Sequence, residues 1–220
     1  AMESSKYPEA AFLAAMTASA THEVRNVLAI IKESAGLVDD LVEVQGAAGR
    51  LDPEKVRKAL ERIGLQVRRG ADLLTHLNRL AHTLDQDLST VELNQEVQQL
   101  VFLNQRFARQ KGQQVLFEGS QDEQQLQVNA LHLHMLLSAA TRCCLDELPE
   151  GCKVSVGVLE EGGSAVVEFG SVDGDDLPEA STDCAGWSEL EALSDSLGAK
   201  LERSPGAYGV RILFSKEPRG

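Results

Sequence analysis

Between Pro8 and about Val44 apolar side chains recur at helical spacing: Val24, Val27, Leu28, Ile31, Ala35, Val38, Leu41 and Val42. The pattern predicts one long amphipathic helix from Pro8 to about Val44, with Gly36 its only strong interruption. Gly46-Ala-Ala-Gly49 then ends it, and Asp52-Pro53 supplies an N-cap and a first-turn proline for the next helix. That second helix carries a regular seam: Val56, Leu60, Ile63, Val67, Gly70, Leu74, Leu77, Ala81 and Leu84. Steps of four and three, broken only at Gly70, are coiled-coil spacing. A short connection folds the two helices back antiparallel. A lone pair with stripes this broad buries too little, so the expected assembly is a homodimer whose two hairpins form a four-helix bundle.

From Ser89 the pattern changes. Glu92 to Gly112 reads as an amphipathic helix, followed by short strand candidates near 114–118 and 125–128. Ala130 to Leu148 is a helix stopped by Pro149-Glu-Gly151. Lys153–Leu159 and Ala165–Gly170 are β-rich runs around Glu160-Glu-Gly-Gly-Ser164, a hairpin signal. Trp187–Leu197 is a helix candidate, and Lys200–Arg203 with Val210–Phe214 make a second hairpin around Pro205-Gly206. The expected class is therefore α+β: a helical hairpin over residues 1–88 and a small α/β sandwich over 89–220.

Composition narrows the function. With 43% apolar and 25% charged residues in 220, the chain has the make-up of a globular protein large enough to need no disulfide or metal staple. A formal charge of −13 argues against a nucleic-acid partner and against an anionic membrane, since both demand clustered Lys and Arg. No apolar run approaches the roughly 20 residues of a membrane span, and without a basic start followed by an apolar stretch a secretory signal is not expected. Ala1 before Met2 reads as a cloning scar, and a cytoplasmic location is expected. The four cysteines, at 143, 144, 152 and 184, form no CxxC pair, so reduced structural thiols are expected. His132 and His134 stand two apart on a helix, a poor metal pair, and His76 and His82 lie off the seam. Asp173-Gly-Asp-Asp176 lacks the spacing of a calcium loop.

The stretch Thr21-His22-Glu23-Val24-Arg25-Asn26-Val27-Leu28-Ala29 carries the candidate chemistry. At about 100° per residue, His22 falls opposite the apolar stripe, with Asn26 one turn later. An exposed imidazole has one nucleophilic nitrogen when neutral, chosen by whatever holds the other. Glu23 is a candidate to hold it, leaving the outward nitrogen to attack phosphorus. Asn26 shares the face and is placed to donate to a phosphoryl oxygen or position a water. Taken alone, an exposed helix histidine is more often merely solvated.

His22-Glu-Val-Arg-Asn-Val-Leu-Ala-Ile-Ile31 resembles the H box of sensor histidine kinases, H-E-x-x-N/T-P-L. The likeness continues through Val91-Glu-Leu-Asn-Gln-Glu96, through Arg109-Gln-Lys-Gly112, and through Cys143–Gly151, which resembles the N-box region of the kinase ATP-binding domain. The departures are informative. Cys143 stands where the family carries an asparagine that helps hold Mg²⁺, and a thiol is a poor ligand for that ion. The D-x-G-x-G box reads Val172-Asp-Gly-Asp-Asp176-Leu-Pro178, so the adenine-binding aspartate becomes Val172 and the second glycine Asp176. The phosphate-cradling glycine box is reduced to Cys184-Ala-Gly186-Trp187. Val27 replaces the H-box proline, which predicts a straighter first helix. With only about 20 residues before His22, no sensor region is expected.

A histidine hairpin beside a degenerate ATP domain resembles the histidine phosphotransferases of bacterial phosphorelays. The resemblance implies transfer between aspartates of response regulator receiver domains through phospho-His22, aided by Glu23 and Asn26. Receivers would dock around Thr21, Arg25 and Ala29. No cofactor is expected on this chain, Mg²⁺ coming with the receiver. The alternative is a pseudokinase adaptor, or a phosphatase, that modulates a response regulator without transfer of its own.

Overall fold

The computed structural model describes residues 7–46, 51–120, 123–172, 186–203 and 209–215. The chain divides into two compact units, one over Ala14–Arg79 and one over Leu80–Gly220 joined by the chain's start up to Leu13.

The first unit is a helical hairpin. Helix α1 (Pro8–Asp40) runs into one π-helical stretch, Leu41–Gly46, and α2 spans Pro53–His82. Asp52 caps α2 as expected: its Oδ1 accepts the backbone N–H of Glu54 at 3.0 Å and of Lys55 at 3.4 Å. The helices are antiparallel, since Glu23 pairs with Arg69 and Glu33 with Arg62. Val27 packs against Gly70, next to Arg69, where a Cβ on the glycine would lie 3.3 Å from Val27 Cγ1. Helix α1 runs unbroken through Val27.

The face that α1 turns to α2 departs from the predicted stripe. Within the hairpin unit the buried positions on α1 are Met16, Ser19, Ala20, Glu23, Val27 and Ser34, followed by Leu41 in the π-helical stretch; on α2 they are Ala59, Gln66 and Leu73. The predicted seam of α2 lies one residue over, and its Leu60, Val67 and Leu74 are exposed, as is Leu28 on α1. Each helix therefore has two neighbouring stripes of heptad spacing, one closing the hairpin and one left open within a single chain.

The second unit is a mixed sheet with helices on one face. Its strands are β2 (Gln114–Glu118), β4 (Lys153–Glu161), β5 (Ser164–Ser171), β6 (Lys200–Arg203) and β7 (Val210–Ser215), in the order β2-β4-β5-β7-β6. β2 joins β4 in parallel and every other pair is antiparallel. A separate ribbon pairs β1 (Ser89–Glu92) with β3 (Gln125–Val128). The β4–β5 hairpin turns on Gly162 and Gly163, both at positive φ (58° and 78°), the conformation a two-residue type I′ turn requires. The tip of the other predicted hairpin, Pro205-Gly206, lies outside the described residues.

Helices α3 (Leu93–Gln110), α4 (Ala130–Glu147) and α5 (Trp187–Leu197) cover the sheet. Alternate strand residues, Val154, Val156 and Val158 on β4 with Val167 and Phe169 on β5, form a core with Leu133, Leu136, Leu137 and Leu190 from the helices. Between α3 and α4 lies a buried polar pair, His134 Nε2 to Glu96 Oε2 at 2.5 Å, with Ser138 donating to Asn104 Oδ1 nearby. His132 is half-buried and meets Glu9, in the first turn of α1, at 3.3 Å. Among the described residues no group of three or more His, Cys, Asp or Glu gathers as for a metal. No described helix is long and apolar enough to cross a membrane.

The expectation of reduced thiols meets Cys144 and Cys152, which are free and buried. Burial, then the neighbouring Glu147 carboxylate, pushes the Cys144 thiol up to about 12. Cys143 departs from that expectation and is disulfide-bonded. Successive side chains on a helix point about 100° apart, so Cys143 faces away from Cys144 and bonds elsewhere.

Candidate functional site

His22 sits in the middle of α1 on its exposed face. The helix carries it there because Ala20, Glu23 and Val27 take up the buried stripe, leaving His22 and Asn26 one turn apart on the outside. Asn26 Nδ2 lies 3.3 Å from His22 Nδ1. Thr21, Arg25 and Ala29 are likewise exposed. Two turns beyond His22, Ala29 opens a shallow groove of about 580 Å³ that continues along α1 past Lys32, Gly36 and Leu37 and is flanked by Arg62 of α2.

Glu23 is placed differently from His22 and Asn26. It lies on the buried stripe, only 7% exposed, and its Oε1 takes the guanidinium of Arg69 across the hairpin. The sequence reading missed Arg69. It stands three residues after Gln66 and four before Leu73, both on the buried stripe of α2, which is the signal that would have found it.

The positions that resemble nucleotide boxes lie in the second unit. Cys143 is buried and disulfide-bonded. Val172 is exposed in the turn after β5. Asp173, Asp176, Pro178 and Cys184 lie outside the described residues. Gly186 is the N-cap residue of α5, and Trp187 packs against the core with the Arg203 guanidinium carbon 4.2 Å from its ring centre. Arg203 Nη1 reaches both carboxylate oxygens of Glu147 at 3.2 Å, and the indole N–H donates to Glu191 at 2.9 Å. One stacked and ion-paired cluster thus ties α4, α5 and β6 together.

No family model matches the chain, and no curated protein does. Solved structures similar to it are histidine kinases. The cytoplasmic segment of QseC shares 20% identity, over 70% of this chain and 94% of that one, with a TM-score of 0.46. AdeS of Acinetobacter baumannii shares 14% over 90% of this chain and 98% of that one, with a TM-score of 0.48. ThkA, solved in complex with the response regulator protein TrrA, shares 18% over 94% of this chain and 63% of that one, with a TM-score of 0.49. Likeness at this level assigns neither a family nor an activity.

Proposed function

We propose that this protein is a histidine phosphotransferase of a bacterial two-component phosphorelay. The observation that carries the reading is the setting of His22: an exposed imidazole on a helical hairpin, beside a carboxamide and above a shallow groove on the same helix face. The H-box resemblance of His22–Ile31 names the chemistry. A receiver domain docks on Thr21, Arg25, Ala29 and the groove below them. His22 attacks the phosphorus of its aspartyl phosphate in line, while Mg²⁺ and a lysine of the receiver neutralise the equatorial oxygens. The hairpin contributes position, which by itself removes several kcal/mol of barrier.

The second unit fits no nucleotide in this reading. At the box positions that are described, the disulfide-bonded Cys143 offers no hard oxygen to Mg²⁺, and Val172 offers no acceptor to adenine. The open stripes of α1 and α2 are taken to be covered by a second copy, completing a four-helix bundle in a cytoplasmic homodimer.

The test uses purified receivers carrying labelled phosphate, mixed with the wild type and with His22→Ala, beside labelled ATP alone. Acid-labile label on the wild type only, from a receiver and never from ATP, is the expected result. Binding without label on any receiver overturns transfer in favour of an adaptor or, where receiver label is lost to water, a phosphatase. Label from ATP alone overturns the reading of the nucleotide boxes.

A further inference from the structure

We infer that Asn26 decides which ring nitrogen of His22 carries the proton, and so whether the outward nitrogen is nucleophilic. The inference rests on the phosphotransfer reading for its consequence, but its geometry stands on two contacts within the hairpin. Glu23, the residue beside the histidine, commits Oε1 to Arg69 on the buried stripe. The group that meets Nδ1 of His22 is instead the Asn26 carboxamide, one turn away at 3.3 Å.

A carboxamide has two chemically opposite ends on one side chain. Turned as in the structure, Asn26 Nδ2 donates, so Nδ1 must accept and the neutral ring carries its proton on Nε2. A protonated Nε2 has no lone pair to offer phosphorus, and the lone pair on Nδ1 is occupied by the amide. Rotation of the carboxamide by half a turn presents Oδ1, which accepts from Nδ1–H and leaves the Nε2 lone pair pointing outward. Both side chains are exposed, so the rotation displaces no packed neighbour. The hairpin has a resting form and a reactive form that differ by the orientation of one amide.

The reactive form closes the atom balance of transfer. The Nε2 lone pair forms the bond to phosphorus as the bond from phosphorus to the aspartyl oxygen breaks, and that electron pair leaves on the receiver's carboxylate. The proton on Nδ1 stays in place, and the ring becomes a cation whose N–H is held by Asn26 Oδ1. Asn26 is thus a positioning residue, whereas a donor to the phosphoryl oxygens would have to release the ring first.

The test is the tautomer itself. Long-range ¹H–¹⁵N correlation spectra of the 220-residue chain with ¹⁵N-labelled histidine, at a pH where the ring is neutral, separate Nδ1–H from Nε2–H. The His22 signal is identified by its loss in His22→Ala. The expected result is mainly Nε2–H in the wild type and mainly Nδ1–H in Asn26→Asp, whose carboxylate only accepts. Asn26→Leu, which offers neither end, is expected between them. Circular dichroism confirms that the helices of each variant are intact. The same tautomer in all three proteins overturns the inference, whatever the protein does with phosphate. A shift of tautomer together with no uptake of label by the wild type supports the inference and overturns the phosphotransfer reading alone.

Discussion

A carboxylate on the inward stripe of a helix needs a cation opposite it, and Glu23 finds one in Arg69. The pair is unequally placed: the Glu23 side chain is 10% exposed and that of Arg69 35%. Removing the arginine leaves a nearly buried charge without its partner, whereas neutralising the glutamate leaves an amide that still hydrogen-bonds. Arg69→Ala is therefore expected to cost about 2 kcal/mol, discounted for the exposure of the guanidinium, and Glu23→Gln less than about 1 kcal/mol. Urea unfolding at constant m-value measures both. Equal costs would mean that the pair behaves as a surface contact. In the same hairpin the Glu23 carboxylate meets Arg69 across the helices, and Asn26 meets the His22 imidazole. Adjacency in sequence put Glu23 beside His22, but adjacent residues on a helix point about 100° apart, and burial decided which way the carboxylate faced.

At the scale of elements the sequence was legible wherever one local signal decided the matter. Asp52-Pro53 gave the start of α2, and Gly162-Gly163 gave the β4–β5 turn. The sheet strands were found by their apolar alternation. What the sequence left unresolved was which of two adjacent stripes closes the hairpin. Val27 and Leu28 are neighbours of similar hydrophobicity, yet one is 3% and the other 57% exposed. Polar Glu23, Ser34 and Gln66 lie on the inward stripe, where a reading by hydrophobicity alone does not look. A second element depended on a cap that was also unread. Glu92 ends β1 and caps α3, accepting from the backbone N–H of Asn94 at 3.1 Å and Gln95 at 2.8 Å, and from that of Gln124 beside β3 at 3.3 Å. Burial alone would raise its pKa, but these bonds and one from the Asn94 amide outweigh it and hold the group below its ordinary 4.5. A lowered carboxylate pKa contributes stability that is present above the unfolded value of 4.5 and lost as pH falls through the folded one. Glu92→Ala is expected to cost about 1–2 kcal/mol at neutral pH. Its deficit against the wild type should shrink on acidification below 4.5. Paired denaturant titrations at pH 7 and below pH 4 give both numbers, and a deficit independent of pH would remove the carboxylate charge from the account.

For the whole molecule the question is what covers the open stripes of the hairpin. Leu28, Leu60, Leu65, Val67 and Leu74 are each more than half exposed, a large apolar surface for a hairpin of two helices to leave in water. Leu60, Val67 and Leu74 repeat at seven residues on α2, which is the seam spacing of a helix that has a further helix to meet. Burying such a side chain fully contributes about 1.5–3 kcal/mol, and half-exposed positions retain about half of that to gain. Under the proposed dimer, symmetry doubles each contribution. The double substitution Val67→Lys with Leu74→Lys would then place four charges in a closed apolar seam. It is expected to turn a dimer into a monomer in sedimentation velocity and to lower the melting temperature. The melting temperature of the wild type should rise with protein concentration, and that of the double variant should not. Because the substituted positions are exposed within one chain, the variant's own hairpin contacts through Ala59, Gln66 and Leu73 remain. A monomeric wild type at every concentration would leave the stripes to a different occupant and remove the four-helix bundle from the reading. A dimer that survives both lysines would place the contact between copies elsewhere on the molecule.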